Sequence, residues 1–380
     1  MALVRAVTAE RAVLVLNAGS SSLKASLIGH DERTLATATT PWAGDPSGAA
    51  AALDGSIAAA DIDGRAVAAV GHRVVHGGTA FTTATRVTDE MLVRLAEVRP
   101  LAPVHNVLAE AVIAAARARF PTSPHVASFD TAFHAALPPA ARIYPLPWGW
   151  YADRGIRRFG FHGLSVQWAL RRAAELLDRP AADLGLVVAH LGSGCSVTAV
   201  WRGTSVDTSM GMTPLEGLMM ATRSGSVDPG ILLAVQQRDG VSVKDLEQVL
   251  ERGSGLLGIA GTADMREVLD RSGRGDERAR IALDLFVRRA AAGIAAAATA
   301  LPRLDAVVFT GGIGEHSAAI RASVCARLVT LGIAAVEARD VAVDAVLDGG
   351  APAVLRVEAR EDLIVASEVR ALLGLTSSDA

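Results

Sequence analysis

Two arginines and a histidine in separate polar segments could together neutralise the charge of an anionic reaction centre. Arg73 lies between two histidines in Gly71–Gly78, and Arg223 lies in a run of Gly, Ser, Thr and Met residues at Thr208–Gly225. A guanidinium group is a planar fork of donors suited to a carboxylate or a phosphate. His162 lies between an aromatic residue and a glycine. From the residues alone, Arg73 could instead pair with a structural acid, and His162 could be a structural histidine.

An acid and a small-residue turn add groups that could orient a phosphate. Asp130 follows the apolar segment His125–Phe129, and open α/β sheets place ligand groups at such strand ends. The same aspartate could equally be a helix N-cap. The turn Asn17–Lys24 contains a glycine, three serines and a lysine, and small residues let backbone N–H groups close around an anion. This turn is either a phosphate cradle or a polar hairpin turn.

Two further glycine-rich turns follow apolar segments in the second half of the chain. His190–Thr198 repeats the strand, turn, strand pattern of the first turn, and Gly19 and Gly192 lie 173 residues apart in a chain of 380. This spacing predicts two related α/β domains, each with its own phosphate hairpin, that face one cleft. Gly311–Ser317 lies between a predicted strand and a predicted helix, where free N–H groups can bind a nucleotide.

The elements that position these groups follow from hydrophobic spacing and from Gly and Pro punctuation. A strand is predicted before each of the three glycine turns, before Gly71–Gly78 and before Asp130, and a hairpin is predicted around each of the first two glycine turns. The predicted strands are Val13–Leu16, Leu23–Ile28, Val67–Val70, His125–Phe129, Leu186–Ala189 and Ala306–Thr310. The predicted helices are Thr88–Val98, Val107–Phe120, Val166–Leu177 and Asp276–Leu301. The predicted loops or variable stretches are Thr34–Ala60, Leu101–Asn106, Thr208–Gly225 and Gly253–Arg266.

The composition is that of a well-packed globular protein. A hydrophobic content of 51% with 20% charged residues excludes a disordered chain, and 380 residues suit two domains. The net charge of −3 and the pI near 6.3 argue against a nucleic-acid surface. Cys195 and Cys325 give no metal spacing, and Met1–Arg11 has no apolar core of a signal peptide, which predicts a soluble cytoplasmic protein. The sequence contains neither a P-loop nor the lysine motif of a protein kinase.

Together these segments resemble acetate kinase, the acetokinase family of the acetate and sugar kinase, Hsc70 and actin superfamily. The resemblance runs from Val13 to about Ala366. It implies an α/β fold of two duplicated actin-like, ribonuclease H-like domains with mixed sheets flanking a central nucleotide cleft. The motifs that carry it are Leu16–Lys24, Gly71–Gly78, Phe129–His134, Arg157–Gly163, Thr213–Gly225 and Phe309–Glu315.

The resemblance also implies domain bounds, ligands and assembly. The first domain would be 1–135, completed by a C-terminal helix at about 363–380, and the second, 136–362, would carry the nucleotide site. ATP or ADP would be the co-substrate with Mg²⁺ or Mn²⁺, and the protein would be a homodimer. The implied reaction is reversible phosphorylation of acetate to acetyl phosphate by direct in-line transfer. A carboxylate with a pKa of about 4 to 5 is already ionised at neutral pH, so such a reaction needs charge neutralisation and no general base.

The resemblance assigns a role to each candidate residue. Arg73 and Arg223 would hold the carboxylate and the transferring phosphoryl group, and His162 would stabilise that group in flight. Asp130 would orient the cluster and assist the metal. The other implied groups are Asn17 and Glu361 for the metal; Ser20, Ser22 and Lys24 for the phosphates; Val75, Val104, Phe161 and Pro214 for the acyl pocket; and His190, Gly192, Ser193, Gly194, Asp264, Arg266, Gly312, Ile313 and His316 for the nucleotide.

Several residues depart from the family pattern. Ser193 and His316 stand where the family usually has asparagine, and the loop 261–264 is one residue shorter, so the base preference is open. Val104 replaces a common leucine, which would widen the acyl pocket by about a methylene, a difference that discriminates substrates by only about 1–3 kcal/mol. A propionate kinase or a broader short-chain carboxylate kinase is therefore the alternative. Two alternative functions come from other classes of protein. A sugar kinase would need a general base, and a non-catalytic nucleotide switch would need no paired arginines.

Overall fold

The computed structural model describes residues 12–19, 22–62 and 65–375, without the side chain of Val104. The segment 1–11 and the predicted phosphate ligand Ser20 lie outside the described residues. The described chain forms two compact units. Unit 1 contains 12–135, 161–164 and 360–375, and unit 2 contains 136–160 and 165–359. The segment Phe161–Leu164 therefore packs in unit 1, although it lies within the predicted second domain.

Unit 1 is built on a six-stranded mixed sheet in the order β3-β2-β1-β4-β6-β5. The strands β1, β4 and β6 are parallel to one another, and β2, β3 and β5 pair antiparallel with their neighbours. Every residue of β6 is buried, as expected for a parallel strand covered on both faces. The strand bounds are β1 Val13–Ala18, β2 Ser22–Ile28, β3 Thr34–Pro41, β4 Ala69–Val74, β5 Thr85–Arg86 and β6 His125–Phe129.

Three helices from the first part of the chain pack against this sheet: α1 Ala49–Ala59, α2 Asp89–Val98 and α3 Pro103–Arg119. Apolar residues of α1 and α3 form a core with β1 and β2, and α2 and α3 form a second core with β4 and β6. Thr88 caps α2 by accepting a hydrogen bond from the backbone N–H of Met91 at 3.1 Å.

Unit 2 has a second six-stranded mixed sheet, in the order β11-β12-β10-β7-β8-β9. Its strands are β7 Gly185–Leu191, β8 Cys195–Trp201, β9 Thr204–Thr208, β10 Ala306–Thr310, β11 Ala345–Asp348 and β12 Ala353–Arg356. The next helices in chain order are α4 Pro139–Arg142, α5 Trp148–Ala152, α6 Gly163–Leu176, α7 Pro229–Asp239, α8 Val243–Arg252, α9 Gly255–Ala260, α10 Met265–Gly273, α11 Glu277–Ala298, α12 Gly311–His316 and α13 Ala318–Ala326. All belong to unit 2 except the first two residues of α6.

The last helix, α14 Glu361–Leu373, returns to unit 1 and packs on β1 and β4. It approaches β4 closely at Gly71, where a Cβ atom would lie 2.6 Å from Val365 Cγ1 and 2.9 Å from Val369 Cγ2. Glycine at this position therefore permits the short distance between helix and sheet. Because α14 belongs to unit 1, Glu361 at its N-terminus lies in the same unit as β4.

The two sheets repeat one topology. In each, the first three strands form an antiparallel meander, the fourth and sixth add in parallel to the first, and the fifth pairs with the sixth. The registers also agree, because the last parallel pair is Asn17 with Arg73 in unit 1 and His190 with Thr310 in unit 2. The predicted duplication is thus confirmed. The equivalent positions that bear on the site are Asn17 and His190, and Arg73 and Thr310.

Several local predictions were wrong. Thr34–Ala60, for which no element was predicted, contains β3 and α1, whose alanines are small enough to pack in the core. The predicted loop Leu101–Asn106 is partly helical, because α3 begins at Pro103, and proline is favoured in a first helical turn. Gly253–Arg266 contains α9 and the start of α10, and Gly311–Ser317 forms the short helix α12. None of the helices in the described ranges has the length and apolar character that a bilayer span requires.

Candidate active site

Arg73 and Asp130 form an ion pair at the ends of two neighbouring strands of unit 1. The register places Arg73 between Asn17 of β1 and Ser128 of β6. The Arg73 guanidinium donates to both carboxylate oxygens of Asp130, from Nε to Oδ1 at 2.8 Å and from Nη2 to Oδ2 at 2.6 Å. Its Nη1 donates to Oδ1 of Asn17 at 3.1 Å. The structure thus brings three of the predicted site residues into direct contact.

This geometry answers two questions that the sequence left open. Arg73 does pair with an acid, and that acid is the candidate catalytic residue Asp130. Asp130 is not a helix N-cap, because Thr131 occupies the position before the 3₁₀ turn Ala132–His134. The contacts with Asn17 and Asp130 use three of the five N–H donors of Arg73.

Burial and charge oppose each other in this pair. Burial alone would lower the pKa of Arg73, but the charge and hydrogen bonds of Asp130, together with Glu361, more than offset it, and the pKa is raised. Burial raises the pKa of Asp130, an effect that Arg73 opposes and Glu361 reinforces. Arg73 therefore keeps its positive charge in a site that is largely shielded from water.

A small pocket of unit 1 adjoins the ion pair. Asn17 and Glu361 bring to it amide and carboxylate oxygens, which Mg²⁺ prefers. Among the residues that the structure describes, no three His, Cys, Asp or Glu side chains form a metal-binding group. Because Mg²⁺ usually takes one or two protein ligands and fills its shell with water and phosphate oxygens, the donor set fits an ion that binds together with a phosphate ligand. The pocket is lined by Val15, Asn17, Lys24, Ser26, Arg73, Glu361, Asp362 and Val365.

The first hairpin places its lysine beside this pocket. The backbone N–H of Gly19 donates to the carbonyl of Ser22 at 2.8 Å, which closes the turn. The register sets Lys24 opposite Asn17. The segment is therefore a hairpin turn in which Lys24 and Asn17 line the same pocket, while a role for Ser20 and Ser22 in phosphate binding stays a prediction.

His162 is held in an uncommon backbone conformation next to Asp130. Its φ of 59° lies in the left-handed region, which non-glycine residues adopt at a cost. The N–H of Gly163 donates to the carbonyl of Asp130 at 2.9 Å, and a Cβ atom on Gly163 would lie only 2.3 Å from that oxygen. The glycine therefore permits the close approach that keeps His162 beside Asp130.

Phe161 is fixed by two histidines of unit 1. His134 donates from Nε2 to the carbonyl of Phe161 at 3.0 Å, and His76 meets the Phe161 ring edge-on at a centroid distance of 5.2 Å. Burial lowers the pKa of His134 to about 4, so this histidine is neutral at pH 7. Val75 is half-buried on the adjacent segment after β4. The sequence did not identify His134, although it lies within the motif Phe129–His134.

Arg223 belongs to unit 2 and lies on the predicted irregular loop. No helix or strand covers 209–228, which confirms the loop prediction for that part of the segment. Arg223 donates from Nη1 to the carbonyl of Pro214 at 2.6 Å. Burial lowers the pKa of Arg223, and the neighbouring Cys195 and Glu251 only partly offset this effect. The guanidinium is thus a desolvated cation whose charge the protein itself compensates incompletely.

The second and third glycine turns lie side by side in unit 2. The N–H of Gly192 donates to the carbonyl of Gly194 at 3.0 Å, and a Cβ atom on Gly192 would lie 3.6 Å from the N–H nitrogen of Gly312. His190 shares a hydrogen bond of 2.8 Å between Nδ1 and Ser165 Oγ. Gly311 has a φ of 76°, and a Cβ atom there would lie 3.0 Å from His190 Nε2. The structure therefore brings these predicted nucleotide residues together, with Ser193 in the same turn and Ile313 in α12.

Asp264, Arg266 and His316 lie at helix ends of unit 2. The Asp264 side chain caps α10 by accepting from the Arg266 N–H at 2.8 Å, and it also accepts from Arg266 Nη2 at 2.6 Å. The hydrogen bonds from Arg266 lower the pKa of Asp264 to about 2. His316 ends α12, is 73% exposed, and lies 3.7 Å from a carboxylate oxygen of Glu315. Their assignment to the nucleotide stays a prediction.

Three residues that the sequence analysis did not single out organise the loop that carries Pro214. Arg158 donates from Nη1 to the carbonyls of Ser209 and Met210, both at 2.9 Å, and from Nη2 to Glu216 Oε1 at 2.8 Å. Tyr144 donates from its hydroxyl to Glu216 Oε2. A tyrosine and a glutamate 72 residues apart carry no sequence signal, although Arg158 lies within the motif Arg157–Gly163.

The chain is similar to acetate and propionate kinases over most of its length. It is 48% identical to the acetate kinase of Synechococcus sp. (strain JA-2-3B'a(2-13)) over 320 residues, which cover 81% of this chain and 77% of that protein. It is 45% identical to the propionate kinase of Enterobacter sp. (strain 638) over 344 residues, covering 84% of this chain and 85% of that one.

A solved structure agrees with this similarity. The acetate kinase of Porphyromonas gingivalis matches with a TM-score of 0.85 at 32% identity, covering 95% of this chain and 99% of that one. The family model described as the acetokinase family matches residues 47–367. With this match across most of the chain, the resemblance drawn from the motifs is confirmed: the protein belongs to the acetokinase family.

Proposed function

We propose that this protein is an acetate kinase, which transfers the γ-phosphoryl group of ATP to acetate and runs the reaction in both directions. The observation that carries the proposal is the Arg73–Asp130 pair beside the oxygens of Asn17 and Glu361, in a chain of the acetokinase family. A fixed guanidinium next to a site suited to a phosphate-bound cation is what a reaction between two anions requires.

The proposed chemistry is a single displacement at phosphorus. An acetate oxygen forms a bond to the γ-phosphorus as the bond to the oxygen of ADP breaks, and no proton has to move, because the attacking carboxylate is already ionised. The protein contributes position and charge. No general base is assigned, which distinguishes the proposal from a sugar kinase mechanism.

Each candidate residue has one proposed task. Arg73 and Arg223 bind the carboxylate and the transferring phosphoryl group, and His162 donates to the phosphoryl oxygens. The lowered pKa of Arg223 supports its part, since an anionic ligand would supply the charge compensation that the protein lacks. Asp130 orients Arg73, and its buried bidentate contact supports that role.

The proposal assigns the remaining ligands by family resemblance. Asn17 and Glu361 would hold Mg²⁺ or Mn²⁺, which would neutralise phosphate charge when bound. Ser20, Ser22 and Lys24 would contact phosphates, and the domain 136–362 would bind ATP or ADP through the glycine turns. Assembly as a homodimer and a cytoplasmic location belong to the same proposal.

Propionate is the second candidate substrate. Relatives with this printed function support it, including the propionate kinase of Francisella tularensis, whose structure matches with a TM-score of 0.85 at 34% identity. Val75, Val104, Phe161 and Pro214 are the proposed walls of the acyl pocket. One methylene in such a pocket discriminates substrates by only about 1–3 kcal/mol, so we expect measurable turnover of both acids.

The test is an acyl phosphate assay with purified protein, ATP and Mg²⁺, in which hydroxylamine traps the product as a hydroxamate. We expect hydroxamate with acetate and propionate, and the ratio of their kcat/KM values decides between the two functions. Turnover of a sugar without any hydroxamate would refute the proposal. A chain that binds ATP but turns over neither class would be a nucleotide switch.

A further inference from the structure

The loop 209–217 of unit 2 has no helix or strand to fix its backbone, yet it carries Pro214. Its two flanks are held by side chains of the segment 144–160. Arg158 binds the carbonyls of Ser209 and Met210, and the Tyr144 hydroxyl accepts from the N–H of Met212 at 3.0 Å. On the other flank, both residues bind the Glu216 carboxylate.

The same three side chains also contact one another. The Arg158 guanidinium lies over the Tyr144 ring, 5.4 Å from its centroid, and Glu216 accepts from both. Burial raises the pKa of Tyr144, so its hydroxyl stays a donor at neutral pH. We call the cluster of Tyr144, Arg158 and Glu216 the clamp. The packing leaves no room inside the clamp: a Cβ atom on Gly211 would lie 1.9 Å from Glu216 Oε2 and 2.3 Å from the Tyr144 hydroxyl.

Pro214 lies between the two flanks that the clamp holds, and its carbonyl receives the 2.6 Å hydrogen bond from Arg223. Because a guanidinium is planar and rigid, the position of this acceptor restricts the directions in which the remaining donors of Arg223 can point. A shift of the loop would therefore rotate Arg223 and move the Pro214 side chain together.

We propose that Tyr144, Arg158 and Glu216 are positioning residues that hold the Pro214 carbonyl in place and thereby orient Arg223 toward its substrate. The inference rests on the proposed function, because it assigns to Arg223 the binding of the carboxylate or phosphoryl group. Substitutions of these three residues should therefore alter both substrate affinity and selectivity, although none of them is assigned a contact with substrate.

The test is Tyr144→Phe, which removes the hydroxyl and its two hydrogen bonds but keeps the ring under Arg158. We expect kcat/KM for acetate to fall on the order of tenfold, since small misplacements of catalytic groups have effects of this size. The KM for ATP should change little, and the ratio of kcat/KM for propionate to acetate should change. Gly211→Ala should give the same pattern, because its methyl group displaces the clamp without removing any of its groups.

The matched control is Tyr151→Phe, which alters the second of the two tyrosines and should leave the kinetics unchanged. A double-mutant cycle supplies the decisive readout: in an Arg223→Ala background, Tyr144→Phe should lower kcat/KM by a smaller factor than in wild type, because only the effect through Pro214 remains. Equal effects of Tyr144→Phe in both backgrounds, or unchanged kinetics in an active wild type, would overturn the positioning role alone. A wild type that is inactive with every carboxylate would overturn the proposed function and this role with it.

Discussion

Replacing Arg73 by methionine should destabilise unit 1 by about 3–5 kcal/mol at pH 7, because Asp130 would lose its partner while it stays buried. The Asp130 side chain is 1% exposed and that of Arg73 18% exposed, and two short hydrogen bonds join them. Methionine keeps most of the volume of the arginine stem and removes the charge. The variant therefore isolates the loss of the ion pair.

The expected magnitude also follows from protonation. Asp130 has an ordinary pKa of 3.8, and without Arg73 the buried carboxyl group would take up a proton. At about 1.36 kcal/mol per pH unit, protonating a carboxyl group of ordinary pKa at pH 7 costs about 4 kcal/mol, which is an upper limit for the deficit relative to wild type because the pKa of Asp130 is already raised there. Loss of Arg73 raises the folded-state pKa of Asp130 further above its wild-type value, which burial and Glu361 already raise. The destabilisation relative to wild type is therefore greatest at high pH and falls as the pH decreases between these two folded-state values. At pH 5 the deficit relative to wild type should be smaller than at pH 7.

The assay is urea unfolding at pH 7 and pH 5, followed by hydrogen exchange with mass spectrometry so that the two units are read separately. The control is the double variant Arg73→Met with Asp130→Asn, which removes the charge that needs a partner and should recover part of the lost stability. A deficit below 1 kcal/mol at pH 7, or a double variant less stable than Arg73→Met, would refute the reasoning.

Three further predictions concern single residues. His134 has a pKa near 4 in the folded protein and an ordinary value of 6.5. The unfolding free energy of wild type should therefore fall by about 2 kcal/mol more than that of His134→Gln between pH 7 and pH 5, as measured by urea titrations. His162→Gly should be more stable than His162→Ala by about 1 kcal/mol in thermal unfolding, because φ is 59° there, while both lose phosphoryl transfer. Thr310→Val should raise the unfolding free energy by about 1 kcal/mol, because its buried hydroxyl has no hydrogen-bond partner among the described residues.

Each of these has a clear contrary result. Equal pH slopes for wild type and His134→Gln would show that the His134 imidazole does not stay neutral in the folded state. Equal stability of the glycine and alanine variants at 162 would show that the left-handed conformation costs nothing. A less stable Thr310→Val would show that the hydroxyl has a partner, such as an ordered water.

Strand and helix prediction succeeded where local pattern and burial agree. Val13–Leu16 and His125–Phe129 are apolar runs that become buried strands, and Thr88 caps its helix as its residue type favours. The elements of Thr34–Ala60 were not predicted, because its alanines and threonines give no periodic signal. Tertiary packing places these residues in a strand and a helix. The segment Gly311–Ser317 was predicted as a turn between a strand and a helix, and its residues Gly311–His316 are themselves a short helix.

For the site, residue types were predictable and partners were not. Arg73 and Asp130 lie 57 residues apart, and only the adjacency of β4 and β6 in the sheet makes them a pair. The Glu216 contacts of Tyr144 and Arg158 depend in the same way on the path of an irregular loop. Long-range pairs of this kind have no fixed spacing in sequence, so the motifs could indicate charge neutralisation but not which acid orients which arginine.

The two copies of the repeated sheet carry different side chains at equivalent positions. In the second copy, the positions of Arg73 and Asn17 hold Thr310 and His190, so a neutral hydroxyl stands where unit 1 has the guanidinium of its ion pair. The same strand scaffold therefore presents a cation at this position in one unit and a neutral hydroxyl in the other, which makes the two units chemically unlike.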